Sequence, residues 1–408
     1  MDTLQKTLEE ALRDAPYQML AKTIADKFKA RGVKLTAPEL EQLAQHLKSE
    51  TTEAFRLRRW QWWRDRYVDV VVTEQESDAI AERFSDFLDK KLPDLIEDTV
   101  EKSSTNILKT LHHTWATESR RQNRERRGFE RRLHQRWGRG IDRLRMFLAI
   151  AREYGEGVSN ALRGDVEFTD RCLLEVLTRL HARACQVTDE IVCLMAAGFA
   201  DGALARWRTL HEIAVVALFL REQGESAAQR YIDHQVVESF NAATDYRRCY
   251  ERLGCDPMSE SEFEEVQRAF DEAVRKHSSG FESQYGWAAA ALGKKKPGLQ
   301  DIEKAAGIDH LRAHYRMASH NVHANPKGVY FKLGLIDEAD MLLAGPSNAG
   351  LADPGDSAAI SLMQVSSAVG TLRSNLDSLV TLRVLAKLGD EIGDSLLEDH
   401  RELAGECG

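Results

Sequence analysis

The chain has 408 residues, of which 30% are charged, 43% are hydrophobic and only 8 are proline. This composition favours long helices over disorder or a sheet-rich sandwich, and the length predicts two or three packed units. The net charge of -9 argues against nucleic-acid binding by the whole surface, so such binding requires a local basic region.

The six cysteines form no C-x-x-C pair, so the sequence predicts neither a zinc knuckle nor a disulfide framework. No stretch of about 18 residues is apolar enough to span a membrane. The N-terminal "MDTLQKTLEEALRDA" has the charges of an amphipathic helix rather than those of a signal sequence. We therefore expect a cytoplasmic protein that does not contact a membrane and needs no cofactor.

The N-terminal region, residues 1–118, is predicted to form a series of short helices. Thr36 is the expected N-cap of "APELEQLAQHL", and Pro93 is expected to end one helix and permit the next. The segment 55–67, "FRLRRWQWWRDRY", interleaves five arginines with three tryptophans. Such a segment either stacks on nucleic-acid bases or buries its tryptophans while the arginines stay solvated. We expect this region to position or recognise RNA or a partner protein.

Residues 119–164 are predicted to form a long helical connector whose first half is strongly basic. Arginine clusters of this kind suit the phosphate backbone of a nucleic acid. The candidate RNA-binding residues are Arg120, Arg121, Arg124, Arg127 and Arg131, together with Lys327 from a later loop. The alternative is a solvated basic face, or one that pairs with the acidic "DLIEDTVEK" preceding it.

Residues 165–408 are predicted to form a helical bundle. Three successive apolar helices are expected to end at Gly198, Gly224 and Gly254, the third running unbroken from "ESAAQRYIDH" to "CYERL". A single long helix is expected from "DSAAISLMQ" to "VLAKL" near the C-terminus. Only "GVYFKLGL" and "DMLLAG" resemble strands, which allows at most one small β-hairpin.

The stretch "YRMASHNVHANPKG" brings an arginine and two histidines together. If the helix includes its last histidine, His320 and His323 project about 40° and 20° from Arg316, on one face. Arginine can neutralise a phosphate, and histidine can exchange a proton near neutral pH. This set could cleave RNA without a metal, with the ribose 2′-hydroxyl as nucleophile. The alternative is that both histidines only bond to the loop that Pro326 forces out of the helix.

A metal site is a competing interpretation, because His310 and His314 precede His320 and His323 within fourteen residues. On one helix, however, the first two histidines project about 80° or more away from the second two. Arg316 would also repel a cation, so we expect no metal at this position.

A second polar cluster occurs in "ARWRTLHE", where Arg208, His211 and Glu212 share the face of an otherwise apolar helix. Buried polar groups need partners, so these residues either support Arg316 and His323 across the bundle or form a structural ion pair. Tyr231 and His234 are further candidates for lining the same cleft, with aromatic packing as their alternative role.

Several sequence blocks resemble those of a family of uncharacterised bacterial helical proteins, a domain of unknown function related to the HEPN superfamily. The blocks are "ARWRTLHEIAVVALFL", "QRYIDH", "YGWAA", "YRMASHNVHANPKG" and "AGPSNAGLADP", and the resemblance spans about residues 119–390. HEPN domains are helical bundles, often dimeric, and many are metal-independent ribonucleases of toxin–antitoxin and antiphage systems. Their signature is an arginine, four to six residues, and a histidine; Arg316 and His323 match it, although Met317 replaces its usual polar residue.

The resemblance therefore implies an all-α, HEPN-like bundle with a helical N-terminal extension. It implies an endoribonuclease with Arg316, His323 and His320 as catalytic residues, and Arg208, His211, Glu212, Tyr231 and His234 as supporting residues. RNA, a second copy of the chain and an antitoxin or defence protein are the expected partners. Two alternatives stay open, a non-catalytic helical interaction module and a metal-dependent hydrolase built on the four histidines.

Overall fold

The computed structural model of the chain describes residues 3–49, 55, 70–277, 280–323, 326–335, 342–373 and 375–407. The chain divides into two compact units, residues 1–121 and 122–408. Our subdivision at 118/119 and 164/165 stays a prediction. The arginine and tryptophan segment lies outside the described residues, apart from Phe55.

In the described residues of the first unit there are three α-helices and the beginning of a fourth. These are α1 (Thr3–Ala30), α2 (Ala37–Lys48), α3 (Glu74–Asp86) and α4 (Leu92–Gly164). Thr36 is the N-cap of α2, as predicted, and its backbone N–H donates to the Glu39 carboxylate at 2.7 Å. Ala21, Ile24 and Leu43 form a small apolar core between α1 and α2.

The predicted break at Pro93 is wrong, because the backbone stays helical from α3 into α4. A π-helical turn, Phe87–Lys91, joins the two helices, and the Leu92 N–H bonds to the carbonyl of Phe87, five residues earlier. Pro93 has no N–H to donate, and a wider turn before it accommodates the missing bond.

The second unit is a bundle of helices around one core. Its helices after α4 are α5 (Arg171–Ala196), α6 (Ala200–Gln223), α7 (Glu225–Asp233), α8 (Gln235–Leu253), α9 (Glu260–His277), α10 (Ala289–Leu292), α11 (Leu299–Ala305), α12 (Arg312–Val322), α13 (Pro326–Tyr330), α14 (Ala352–Gly370) and α15 (Leu376–Cys407). Helices α5, α6 and α14 pack on one another, α15 packs on α14, and Trp137, Leu144 and Phe147 of α4 belong to the same core.

Every regular element in the described ranges is helical, so the prediction of an all-α fold is confirmed. The first predicted strand, "GVYFKLGL" at residues 328–335, is not a strand, and its first residues belong to α13. Part of the second, residues 340–341 of "DMLLAG", lies outside the described residues. The HEPN-like arrangement of the helices stays a prediction. No helix among the described residues is both long and apolar enough to cross a membrane.

The predicted helix ends at Gly224 and Gly254 are confirmed, but two long helices are divided. His234 separates α7 from α8, and the chain turns at residues 371–373 between α14 and α15. Both divided stretches are amphipathic or apolar throughout, so the hydrophobic pattern alone does not reveal the breaks.

Candidate functional site

The predicted catalytic residues lie at the C-terminal end of α12. Arg316 and His323 are exposed, and His320, one helical turn after Arg316, is half-buried. His323 is not helical: it follows Val322 with φ -107° and ψ 139°, and its N–H donates to the Ser319 carbonyl at 3.2 Å. The 20° projection angle therefore does not apply to His323.

A cluster of polar side chains anchors the beginning of α12 to α6. The Tyr315 hydroxyl donates to the Glu212 carboxylate at 2.6 Å, and Glu212 pairs with Arg208 at 3.2 Å. The guanidinium carbons of Arg208 and Arg312 lie 4.9 Å and 5.1 Å from the centroid of the Tyr315 ring. Burial, together with the Glu212 carboxylate, raises the pKa of Tyr315, so its hydroxyl keeps its proton and acts as a donor.

The same cluster continues inward to α11. The Glu303 carboxylate is fully buried and accepts hydrogen bonds from Arg312 at 2.9 Å and from His211 Nε2 at 3.2 Å. His211 is also fully buried, between the rings of Trp207 and Tyr315. Burial lowers the pKa of His211, although Glu303 opposes this shift, so a neutral imidazole donates its Nε2 proton to the carboxylate. We name Arg208, His211, Glu212, Glu303, Arg312 and Tyr315 the Tyr315 cluster.

Three polar atoms of the Tyr315 cluster are buried without a hydrogen-bond partner among the described residues. They are the Nε atoms of Arg208 and Arg312 and Nδ1 of His211. The side chains of Arg208 and Arg312 are each 27% exposed, so the cluster reaches the surface at this edge of α6 and α12. Glu212 and Glu303 balance the formal charges of the two guanidinium groups, so the exposed edge presents hydrogen-bond donors without a net positive charge.

Of the three residues predicted to be buried, His211 is buried, whereas the side chains of Arg208 and Glu212 are 27% and 35% exposed; all three have polar partners, but the partners differ from those expected. Arg312 and Tyr315 belong to this cluster in place of Arg316 and His323. The part of α12 that meets α6 is its first turn, which lies about one turn before the residues that were expected to meet it. Glu303, Arg312 and Tyr315 are members of the cluster that were not predicted from the sequence. Only Tyr315 carried a signal, since it lies three residues before Ala318 on the buried side of the helix.

Tyr231 and His234 pack elsewhere in the second unit. The Tyr231 ring meets Trp287 edge to face, with centroids 5.0 Å apart. His234 contacts the Phe281 ring at 5.1 Å, and its Nε2 lies 3.0 Å from the carbonyl of Ser283. These contacts correspond to the aromatic packing considered as the alternative role for both residues.

The arginines in the basic part of α4 fall into two groups, which differ in their contacts. The candidate RNA-binding residues Arg120, Arg121, Arg124, Arg127 and Arg131 are all exposed, as is Lys327 on α13. Later arginines of α4 pair with glutamates of α15, including Arg136 with Glu406 and Arg143 with Glu391. Before about residue 132, Arg121 pairs with Glu118 at 2.6 Å within α4, and Arg120, Arg124, Arg127 and Arg131 give this part of the helix an exposed basic surface.

The structure gives no support to the four-histidine metal site. His310 and His314 are exposed, and His310 lies in a short turn before α12. Among the described residues, no three His, Cys, Asp or Glu side chains are grouped so that they could hold one ion.

A groove of about 940 Å³ lies between α4 and α5, apart from the Tyr315 cluster. His181 in its floor is 5% exposed, and its Nε2 lies 3.2 Å from the Ser366 hydroxyl. Burial lowers the pKa of His181 to about 4 and raises that of the neighbouring Cys185 thiol to about 11. Both groups are therefore uncharged near neutral pH, so this pair lacks the thiolate that a cysteine nucleophile requires.

With this geometry established, the chain can be compared with known proteins. Residues 174–340 match the family of unknown function DUF5677. The match covers less than half of the chain, so it shows a domain of unknown function within it. This range is shorter than the resemblance over 119–390, but it contains the whole Tyr315 cluster together with Arg316, His320 and His323. No curated protein and no solved structure gave a significant match.

Proposed function

We propose that the protein is a metal-independent endoribonuclease whose catalytic residues are Arg316, His320 and His323. The observation that carries the proposal is the exposure of a guanidinium group and an imidazole at the end of α12, while the Tyr315 cluster fixes the beginning of that helix. Arg316 and His320 lie on the anchored helix, and His323 directly follows it with its N–H bonded to the Ser319 carbonyl, so the helix limits the positions of all three groups. An exposed group is also open to a polynucleotide.

The proposed reaction uses the nucleophile that RNA itself provides. His323 accepts the proton of the ribose 2′-hydroxyl, the 2′-oxygen bonds to phosphorus, and the bond from phosphorus to the 5′-oxygen breaks. Arg316 stabilises the negative charge of the phosphorane, and His320 donates a proton to the leaving 5′-oxygen. The products are a 2′,3′-cyclic phosphate and a 5′-hydroxyl. Single-stranded RNA would be held by exposed residues of the second unit, Arg124, Arg127 and Arg131 of α4 and Lys327 of α13.

The test is cleavage of a labelled single-stranded RNA by the purified protein in excess chelator. His323→Ala and Arg316→Ala should each abolish cleavage, and an RNA with one 2′-deoxyribose at the scissile position should resist it. His310→Ala is the matched control, because His310 is exposed nearby but has no role in the proposed reaction. Cleavage that survives His323→Ala, or wild-type protein that cleaves no RNA, would contradict the proposal.

The cellular role that fits this activity is that of a toxin or an antiphage effector held in check by an antitoxin or defence partner. Expression of such an enzyme should slow bacterial growth, and His323→Ala should relieve the inhibition while the protein still accumulates.

A second candidate function is a non-catalytic helical interaction module. The buried part of the Tyr315 cluster favours it, because paired charges of this kind can simply secure a bundle. Under this alternative, neither the wild type nor His323→Ala cleaves RNA, and the substitution only lowers the melting temperature. If the protein is a ribonuclease, His323→Ala instead keeps the melting temperature of the wild type and loses the cleavage activity.

A further inference from the structure

The first half of α4 carries a row of apolar side chains on its exposed surface. Val100, Ile107 and Trp115 are 62%, 58% and 57% exposed, and Ile96 and Leu111 are exposed beside them. Six residues form the row, which we name the α4 stripe: Leu92, which is partly buried, and the exposed Ile96, Val100, Ile107, Leu111 and Trp115. Leu95 and Leu108, 51% and 54% exposed, lie beside the stripe. At 100° per residue, these six positions fall within an arc of about 140° on one side of the helix.

A contiguous apolar row on an exposed helix indicates a partner, because scattered apolar residues do not align in this way. From the α4 stripe we infer that two copies of this chain associate through an antiparallel pairing of their α4 helices, centred between Ser103 and Ser104. The inference goes beyond the proposed ribonuclease and does not depend on it.

The stripe is complementary to itself in this register. A two-fold axis between Ser103 and Ser104 brings each apolar residue level with another apolar residue of the second copy. The resulting pairs are Leu92 with Trp115, Ile96 with Leu111, and Val100 with Ile107. The two small serines lie at the crossing point, where the helix axes can approach closely.

The charges of the helix favour the antiparallel orientation over the parallel one. Residues 86–101 contain six acidic and two basic residues, a net charge of -4, whereas residues 106–121 contain three basic and one acidic residue, a net charge of +2. Antiparallel pairing about the proposed centre places these two segments opposite each other. A parallel pair would align like charges along its whole length, which is unfavourable.

The oligomeric state of the full chain tests the inference by sedimentation equilibrium. The wild-type protein should be a dimer at micromolar concentration, and Ile107→Glu should weaken association by roughly tenfold or more, since it places an unpaired charge against Val100 of the second copy. Val166→Glu is the matched control, because Val166 is 93% exposed but lies outside the stripe. Far-ultraviolet circular dichroism should show unchanged helix content in both variants.

Disulfide cross-linking tests the orientation and register, in a variant whose five cysteines other than buried Cys185 are serine. Ser103→Cys should cross-link two copies, because the two cysteines are offset by only about 1.5 Å along the axis. Ile96→Cys should not, because its two copies are offset by about 22 Å, well beyond the reach of a disulfide. Adding Leu111→Cys to Ile96→Cys should restore cross-linking.

Three results would overturn the inference. A wild-type protein that stays monomeric at micromolar concentration rules out the pairing. Dimers of Ile107→Glu as stable as the wild type place the interface elsewhere. Cross-linking of Ile96→Cys as efficient as that of Ser103→Cys indicates a parallel pair.

Discussion

Acidification should destabilise the protein through His181, a buried histidine of α5. Its folded-state pKa is about 4, against 6.5 for the unconstrained side chain, because burial disfavours the imidazolium ion. The folded state therefore takes up the proton later than the unfolded state as the pH falls. The stability associated with neutral His181 is complete above about pH 6.5 and is lost progressively as the pH falls towards 4. Linkage gives a loss of about 2 kcal/mol from this one group by pH 5.

The assay is urea unfolding of the wild type and of His181→Gln between pH 8 and pH 5. Glutamine keeps a polar contact for the Ser366 hydroxyl but does not titrate, so the difference in unfolding free energy between the two proteins should move by about 2 kcal/mol in favour of the variant. Thr188→Ala is the control, because Thr188 is buried on the same helix and carries no ionisable group. If the free energies of unfolding of the wild type and His181→Gln changed with pH by the same amount, the reasoning would be refuted.

Two further predictions concern packing and buried charge. Gly157→Ala should raise the free energy of unfolding by about 1 kcal/mol, because alanine favours the helix and no atom lies near the added Cβ. Gly155→Ala should lower the free energy of unfolding by about 1–3 kcal/mol, because the added Cβ would lie 2.3 Å from the His181 ring. Thermal melts of the pair check this, and equal shifts would contradict it. Glu303→Ala should cost about 3–5 kcal/mol by leaving Arg312 and His211 without their acceptor, and Glu303→Gln should cost less. Denaturant titration measures both, and a neutral Glu303→Ala would show that these contacts contribute little.

The sequence predicted the helical fold because its elements depend on local signals. The capping residue Thr36, the glycines at positions 224 and 254 and the low proline content all act within one or two turns of the chain. The break at His234 was not predictable in this way, since no glycine or proline marks it, and Gly370, the last residue of α14, was predicted to be an interior residue of a longer helix. Tertiary packing, rather than the local sequence, sets the direction of the chain at those points.

The candidate site was predictable only in part, for a related reason. The apolar surroundings of Arg208 and Glu212 required that they have partners, but the identity of those partners depends on how α12 sits against α6. A helix displaced by one turn would exchange Tyr315 for another residue. His323 was misplaced because the helix stops at Val322, a few residues before Pro326, and the periodicity of the preceding turns does not extend across that end.

The π-helical turn at Phe87–Lys91 has a consequence for any alignment of this segment by heptads. Such a turn holds one residue more than an α-helical turn, so the residues before and after it are out of phase by about 100°. A deletion of one residue there would rotate α3 relative to α4 by about 100° about the helix axis, so that a different side of α3 would face α1. The side chains of α4 after Leu92 would keep their directions. Insertions and deletions at this point should therefore be far less tolerated than in an ordinary surface loop.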